Sequence, residues 1–485
     1  MTLTKRISEL LAALCNGIPE RESCIQLGFL ATVTGAPIYI FGRSGSGKSL
    51  IANRLAASYK SARVLNVGRR QQTFPSKLNA FDIIIFQNFN PLDETTKENI
   101  HTAIHEREEA ALVLTGDQRP ETALSRIEIT DHIVLSISLP ESLSPAALCG
   151  LLQDQSKLEE AHIPMGLALS PEELKLWNAD IKKVTLSEET LAIIGKLAEI
   201  CDQNDIYVPI RKWIAFTNMM KAIAFFNGRT ETRFTDTFFL GSHVWGRSNA
   251  NTAISDNFCN IIQSILLKDM PEILEKPYDA NATYNKVKTL LHSSNNLYET
   301  KMFNNEPCLS YRITIAGEPA PLYVPLRYME TDEDFNPFNE LKQVETRVRC
   351  NYHGTSSCTI SIDSSVKGVG LRSSMQRNNA NPGKFEDFAT LPSYILREND
   401  PEVAAKKASQ LEELKKETAA QMERQTKLLL ALRDLFRANK AYREDLFCNT
   451  TIFDNVQNNL RRIFESLTAV AGKIKETADL FEAKQ

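Results

Sequence analysis

The 485-residue sequence has no long apolar run, no excess of basic residues, no paired metal-ligand cysteines, and only 3 tryptophans and 7 histidines. No stretch approaches the ~20 apolar residues that a membrane-spanning helix needs, and Met1 to Arg6 open without the apolar segment of a secretory signal. The expectation is a cytoplasmic chain with no membrane span. A net charge of −4 leaves no cationic footprint, so nucleic acid is not an expected partner. The 9 cysteines are scattered without a C-x2-C pair, and their odd number argues against a closed disulfide framework, so they read as buried thiols. Cys350, His353 and Cys358 lie close in sequence, but no fourth zinc ligand is evident and the flanking pattern is strand-like; His101 and His105, four apart on a predicted helix, lack a third ligand.

What is present is a full phosphate-loop signature. Gly42-Arg43-Ser44-Gly45-Ser46-Gly47-Lys48-Ser49 follows the apolar run Tyr39-Ile40-Phe41 and precedes Leu50-Ile51-Ala52-Asn53-Arg54-Leu55, which reads as a helix. Strand, loop and helix stand in the order that lets backbone N–H groups turn onto phosphate, with the helix N-terminus adding partial positive charge. Lys48 is then the expected contact to the β- and γ-phosphates, and Ser49 the expected Mg²⁺ ligand. One further absence matters here. The strand Ile83-Ile84-Ile85-Phe86 ends in Gln87-Asn88, where a hydrolase of this build places Asp-Glu. The chain reads as built to hold ATP or ADP, with Mg²⁺ weakly held, and poorly equipped to hydrolyse it.

A chain of this length is expected to form two to four domains. Residues 1–140 alternate helix and strand in the rhythm of a parallel sheet, and residues 141–235 turn helical, with Ser144-Pro145 and Ser170-Pro171-Glu172-Glu173 as helix starts, the second with Glu at the capping-box place. Residues 236–304 continue mostly helical, apart from the polar stretch Gly246 to Asn251. From 305 to 395 the period becomes two, as at Leu309, Tyr311, Ile313 and Ile315 and again at Cys358, Ile360 and Ile362, which predicts an antiparallel β module ending in a loop at Arg377–Gly383. Residues 396–485 return to helix, so the module reads as an insertion between two halves of one helical domain. The fold class expected is multidomain α/β + α + β: a P-loop core, an all-α lid, and a helical domain carrying the β module. Trp177, Trp213 and Trp245 read as core or helix-contact residues.

Assembled, these residues resemble the RavA-type branch of the MoxR family of AAA+ ATPases. Arg6-Ile7-Ser8 with Gly17-Ile18-Pro19-Glu20-Arg21 is similar to that family's adenine-side segment; Val208-Pro209-Ile210-Arg211-Lys212-Trp213 and Ala224-Phe225-Phe226-Asn227-Gly228-Arg229 are similar to its lid helices. The resemblance implies an AAA+ core, a lid, possible homo-oligomers, and a β module that binds a protein partner, in the family usually a von Willebrand-type (ViaA-like) protein. It also implies roles that this chain fills differently. Gln87 and Asn88 stand at the Walker B positions, Asp117 at sensor 1, and His132 at the arginine finger, while Arg211 is retained at sensor 2 as a nucleotide contact. Neutral amides replace neither carboxylate, and His is a weak substitute for a fixed cation. The stretch before strand 83–86 is also shorter than in the family, without its inserted hairpin and pore loop.

Four functions compete at this stage: a nucleotide-binding AAA+ scaffold or chaperone with weak or lost hydrolysis, an active ATPase using Asp117 or Asp93, a P-loop small-molecule kinase, and a scaffold without nucleotide. Asp93-Glu94 also reads more simply as a helix start.

Overall fold

The computed structural model describes residues 2–483 apart from 69–73, 76, 90–92, 108, 124–126, 154–162, 245–250, 274–277, 316, 332 and 366–383; the side chains of 121, 127, 128 and 251–256 are likewise left aside. Trp245, the polar stretch from Gly246 to Ala250 and the expected loop Arg377–Gly383 lie outside the described residues. The chain forms two compact units, residues 1–277 with 426–468, and residues 278–425 with 469–485.

In the first unit, β1 (Ile38–Phe41), β2 (Val64–Val67), β3 (Ile83–Phe86), β4 (Ala111–Gly116) and β5 (Leu135–Ser138) make one parallel sheet in the order β2-β3-β4-β1-β5. The runs in β1, β3 and β4 are continuously apolar because these inner strands are covered on both faces. Alternation along each strand then sorts the side chains. Ile38, Ile40, Ile83, Ile85 and Val113 enter one core; Tyr39, Ile84, Phe86, Leu112 and Leu114 enter the other. Helices α1 (Leu3–Cys15), α2 (Glu22–Thr34) and α3 (Lys48–Ala57) bury Leu10, Phe29 and Leu55 in the first of these cores. Arg54 of α3 is buried and donates to the carbonyls of Leu14, at 2.9 Å, and of Asn16, so its guanidinium satisfies orphan acceptors at the end of α1.

The helices Pro171–Lys183, Glu188–Gln203 and Ile210–Phe226 follow the sheet. Ser170 caps the first of them by accepting from Glu173 N at 3.2 Å, with Pro171 as its first residue, as the sequence predicts. The Glu173 carboxylate does not complete a capping box. It is taken by Arg6, whose guanidinium offers it parallel donors, also donates to Ala168 O at 3.0 Å, and lies 5.7 Å from the Trp177 ring centre. Trp177 is buried against Phe225 and Phe226, and Trp213 packs on Phe216.

Residues 426–468 return to this unit and place Leu428, Leu432, Phe453, Val456 and Leu460 in the same core as Phe258 and Ile262. The connection is polar as well: Asn227 accepts from Leu446 N at 2.8 Å and donates to Leu446 O at 3.2 Å. Beside it, Arg229 binds the 1 % exposed carboxylate of Asp236 at 2.7 Å and reaches Asp445 at 3.5 Å. Removing one partner of such a buried pair strands the other charge. Arg229→Met is expected to destabilise this unit by about 3–5 kcal/mol in urea denaturation, and a loss under about 1 kcal/mol would show that Asp236 is satisfied without it.

In the second unit, β6 (Leu297–Tyr298), β7 (Lys301–Phe303), β8 (Glu306–Ile315), β9 (Glu318–Pro325), β10 (Val348–His353), β11 (Ser357–Asp363), β12 (Phe385–Pro392) and β13 (Ile395–Arg397) lie between the helices Ala280–His292 and Pro401–Asn439. They form antiparallel sheets β7-β8-β9 and β10-β11-β12 and the ribbon β6-β13. Leu309, Tyr311, Ile313, Tyr352, Ile360 and Ile362 are buried in a core of their own, the physical source of the period-two pattern. Cys350 and Cys358 are buried there, and the neighbouring Cys358 thiol together with burial raises the Cys350 pKa. His353 Nε2 is engaged with Thr359 Oγ1 at 2.6 Å, and no group of three metal-ligating side chains occurs among the described residues.

The ribbon fixes where the β module begins and ends. Tyr298 pairs with Ile395 and Leu297 with Arg397; just outside, Asp400 N donates to Asn295 O at 2.8 Å and Lys407 Nζ to Ser293 O at 2.6 Å. Termini this close tolerate excision. Replacing residues 299–394 by a short Gly/Ser linker is expected to leave the first unit's unfolding midpoint unchanged in chemical denaturation; an insoluble product, or a midpoint lowered with the deletion, would contradict this.

Candidate functional site

Parallel order with β1 between β4 and β5 makes the end of β1 the point where the chain's crossovers diverge, the usual place for a ligand in such sheets. The phosphate loop leaves β1 there. Gly42 N donates to Gly116 O at 3.3 Å and Ser46 N to Arg43 O at 3.2 Å, and α3 starts at Lys48. Gly45 and Gly47 have φ of 86° and 96°, a region that favours glycine, although neither position is crowded. The loop's need for glycine is therefore conformational. Arg43 and Ser44 are exposed, Ser49 is half-buried in the first turn of α3, and the Ser46 hydroxyl is buried without a protein partner, a polar atom left for a ligand to satisfy. Arg43 pairs with Glu141 at 3.2 Å across the loop.

Lys48 is 3 % exposed, and its ammonium is ringed by oxygen: Gly42 O, Arg43 O and Asp117 Oδ1, each at 2.8 Å. The position of Asp117 is set by the end of β4. The Tyr39 hydroxyl donates to Gln118 O at 2.7 Å, and a Cβ on Gly116 would meet that hydroxyl at 2.2 Å, so the strand end closes tightly and the next side chain turns to the loop.

Past the end of β3, at Gln87 and Asn88, the chain delivers amides. Gln87 Nε2 donates to Asn53 Oδ1 at 3.2 Å and Asn66 Oδ1 at 3.1 Å, joining three neutral side chains from β3, α3 and β2. Asn88 sits at φ 45°, a conformation Asn tolerates, and its N–H donates to Thr115 Oγ1 at 2.8 Å. Asn53 and Asn66 carry no local motif. Only the pairing of β2 with β3 brings Asn66 to Gln87, which is why sequence reasoning passed them over. Asp93 caps the helix Glu94–Glu106, accepting from Thr95 N at 3.2 Å and from the Thr96 hydroxyl at 2.5 Å, a bond that holds its carboxyl below the usual range. Glu94 pairs with Lys97 at 2.8 Å. Both acids serve the helix start.

Arg211 is not brought to the phosphate loop of its own chain. Its guanidinium lies 3.9 Å from Asp131, in the short helix Ile127–His132 that leads into β5. Leu135, the first residue of β5, pairs with Ile38, whereas the loop departs after Phe41, which pairs with Ser138. Asp131, the partner of Arg211, therefore precedes the start of β5, at the opposite end of the strands from the loop, about 10 Å of strand away. The ion pair of Arg211 is thus with the core, at Asp131, and not with a residue of the phosphate loop. His132 is beside it, with its ring 5.0 Å from that of His105, which is 4.5 Å from that of His101. His132 is thus packed against a row of rings. At the loop's own end of the strands, Glu20 accepts from Ser144 N at 3.0 Å and Arg21 donates to Pro140 O at 3.0 Å, which seats the segment Gly17–Arg21 against the chain leaving β5.

Residues 189–258 match the family model of the AAA lid domain. With the P-loop sheet, that lid makes an AAA+ architecture. A crystal structure described as "a putative ATPase from Cytophaga hutchinsonii ATCC 33406" is similar at 17% identity and a TM-score of 0.43, over 55% of this chain and 94% of that one. The matched lid contains the helix Ile210–Phe226, so Arg211 belongs to the AAA-type lid, while Gln87, Asn88, Asp117 and His132 belong to the core.

Among the AAA+ core residues, His132 carries a clear electrostatic signature. Burial, then the charge of Arg211, then His105 and His101 push its pKa from 6.5 down to about 4, against the pull of Asp131. The folded protein thus keeps His132 neutral where the unfolded chain protonates it, so its contribution to stability is full above 6.5 and declines as pH falls from 6.5 toward about 4. An NMR titration is expected to show a His132 ring signal that is flat down to about pH 5 and moves below it; a midpoint near 6.5 would overturn the assignment.

Proposed function

We propose that this chain is a RavA/MoxR-like AAA+ protein that binds ATP and ADP and uses the bound nucleotide to set assembly or partner affinity, with hydrolysis weak or lost. One observation carries the reading: the phosphate loop keeps its glycine conformations and its buried lysine, while the residue meant to hold Mg²⁺ is Gln87, an amide tied to two asparagines. The orphan Ser46 hydroxyl and the exposed turn at Gly45 fit a phosphate group. Lys48 and the loop N–H groups would hold the phosphates, and Ser49 would offer a hydroxyl to Mg²⁺; the ion would supply charge neutralisation on the β- and γ-oxygens. Asn88 accepts no proton as a carboxylate does, and a neutral His132 is no substitute for a fixed guanidinium. A second reading, an active ATPase, draws support from the Asp117 carboxylate 2.8 Å from Lys48. The AAA-type lid disfavours a small-molecule kinase.

The proposal extends to partners. Arg211 and His132, side by side at the end of the strands away from their own loop, are suited to face a second copy of the chain. The β module is proposed as a protein-binding platform, for a von Willebrand-type partner in the first instance. Support comes from edge strand β12, whose side chains are largely exposed, and from Met302, Leu341 and Leu396 at 72%, 78% and 57% exposure.

Calorimetric titration is expected to give ATP and ADP binding that Lys48→Ala weakens at least about tenfold, since that change removes a charged phosphate contact. Phosphate release should fall far below that of an intact relative, by ~10²-fold or more. Gln87→Asp with Asn88→Glu should restore it in part only, because position 132 remains His. Release by the native chain at a rate typical of AAA+ enzymes, abolished by Lys48→Ala, would refute the weak-hydrolysis reading.

A further inference from the structure

An ammonium group has three N–H donors, and on Lys48 each has an acceptor at 2.8 Å: two backbone carbonyls and one carboxylate. With 3 % of the residue exposed, water has almost no access to it. A phosphate oxygen can gain Lys48 only if one of the three is given up. The two carbonyls, of Gly42 and Arg43, belong to the loop itself, and the neighbouring N–H groups of Gly42 and Ser46 are already bonded to Gly116 O and Arg43 O. Moving either carbonyl means rebuilding the loop. Asp117, 42% exposed, is the one acceptor of the three that is a side chain and not loop backbone, so it is the replaceable member.

We propose that Asp117 is the resident anion of the phosphate loop, a built-in carboxylate that occupies Lys48 until a polyphosphate displaces it. The inference rests on the reading of this loop as a nucleotide site and adds its regulation. Loading becomes an exchange of one anion for another. Two costs follow from the charge: the ion pair to Lys48 must be broken, and the released carboxylate stays near the incoming phosphates and repels them. Both costs vanish when position 117 is neutral, because an amide is a weaker acceptor for an ammonium and carries no charge. The missing acid at position 87 makes the effect specific to this chain's arrangement. There the neighbouring strand presents an amide engaged with Asn53 and Asn66, and the acid that meets Lys48 comes from the end of β4.

The test is fluorescence titration of the full-length chain with a fluorescent ATP analogue in EDTA, comparing the native protein with Asp117→Asn, Asp117→Ser, Lys48→Ala and Lys48→Ala/Asp117→Asn. Circular dichroism confirms that each variant is folded, and Asp117→Ser serves if Asp117→Asn is not. Asp117→Asn is expected to tighten metal-free binding about tenfold, and the gain should shrink to under about twofold on the Lys48→Ala background, since coupled residues are non-additive. Native binding that neutral position 117 leaves unchanged or weakens overturns the exchange, as does an equal gain with and without Lys48. Absence of binding in the native and all variants alike overturns the nucleotide reading itself, whereas binding that appears only once Asp117 is neutral supports the exchange in its strongest form.

Discussion

A buried ammonium must be surrounded by oxygen, and at the end of β1 that requirement organises everything near it. Lys48 holds the turn of the phosphate loop by accepting no compromise: two carbonyls of the loop bend toward it, and the carboxylate at the end of β4 completes the set. Two glycines in left-handed conformations let the backbone fold back over the lysine, and the paired strands β4 and β5 hold the ends of the loop in place. In water such an arrangement would gain little. Out of reach of water, an unmet donor would cost about 1–3 kcal/mol or more, so geometry and charge are locked together.

The fold was largely legible because its signals are local. A glycine-rich loop between an apolar strand and a helix, Ser170-Pro171 at a helix start, and alternation at Leu309 to Ile315 each report the environment of a few consecutive residues. The site was legible only where it is local too. The loop itself and the acid-to-amide changes at 87 and 88 could be read from the sequence. The amide triad could not, since Asn53, Asn66 and Gln87 meet through strand order. For Arg211 a motif fixes the helix it sits on, whereas its pairing with Asp131 comes from how that helix packs on the core. The partner of Glu173 was missed for a related reason. A capping box is a local expectation, and a guanidinium from a helix 167 residues earlier outcompetes a single backbone N–H.

The core and lid show a division of labour among charged groups. Arg6, Arg54 and Arg229 serve as struts, their donors spent on carbonyls or carboxylates inside the first unit. Arg43 and Arg211 remain well exposed, each with an acid beside it. Guanidinium suits the first task because its planar donors meet several fixed acceptors at once. Where a cation was expected and the chain carries His132, burial, and after it the neighbouring Arg211, His105 and His101, suppress the proton that would have made it one.

The ribbon of β6 and β13 joins residues that are about a hundred positions apart in the chain. Closing a loop of that length through two short strands has an entropic cost of a few kcal/mol, which so few ladder bonds do not repay from an extended chain. Once Leu309, Tyr352 and Ile360 have collapsed into their common core, most of that loop is already compact and its ends need only be aligned. The ribbon is thus a late seal on a structure that has condensed behind it. On a growing chain β6, which follows the helix Ala280–His292, waits without its strand partner until the residues near 397 have been made.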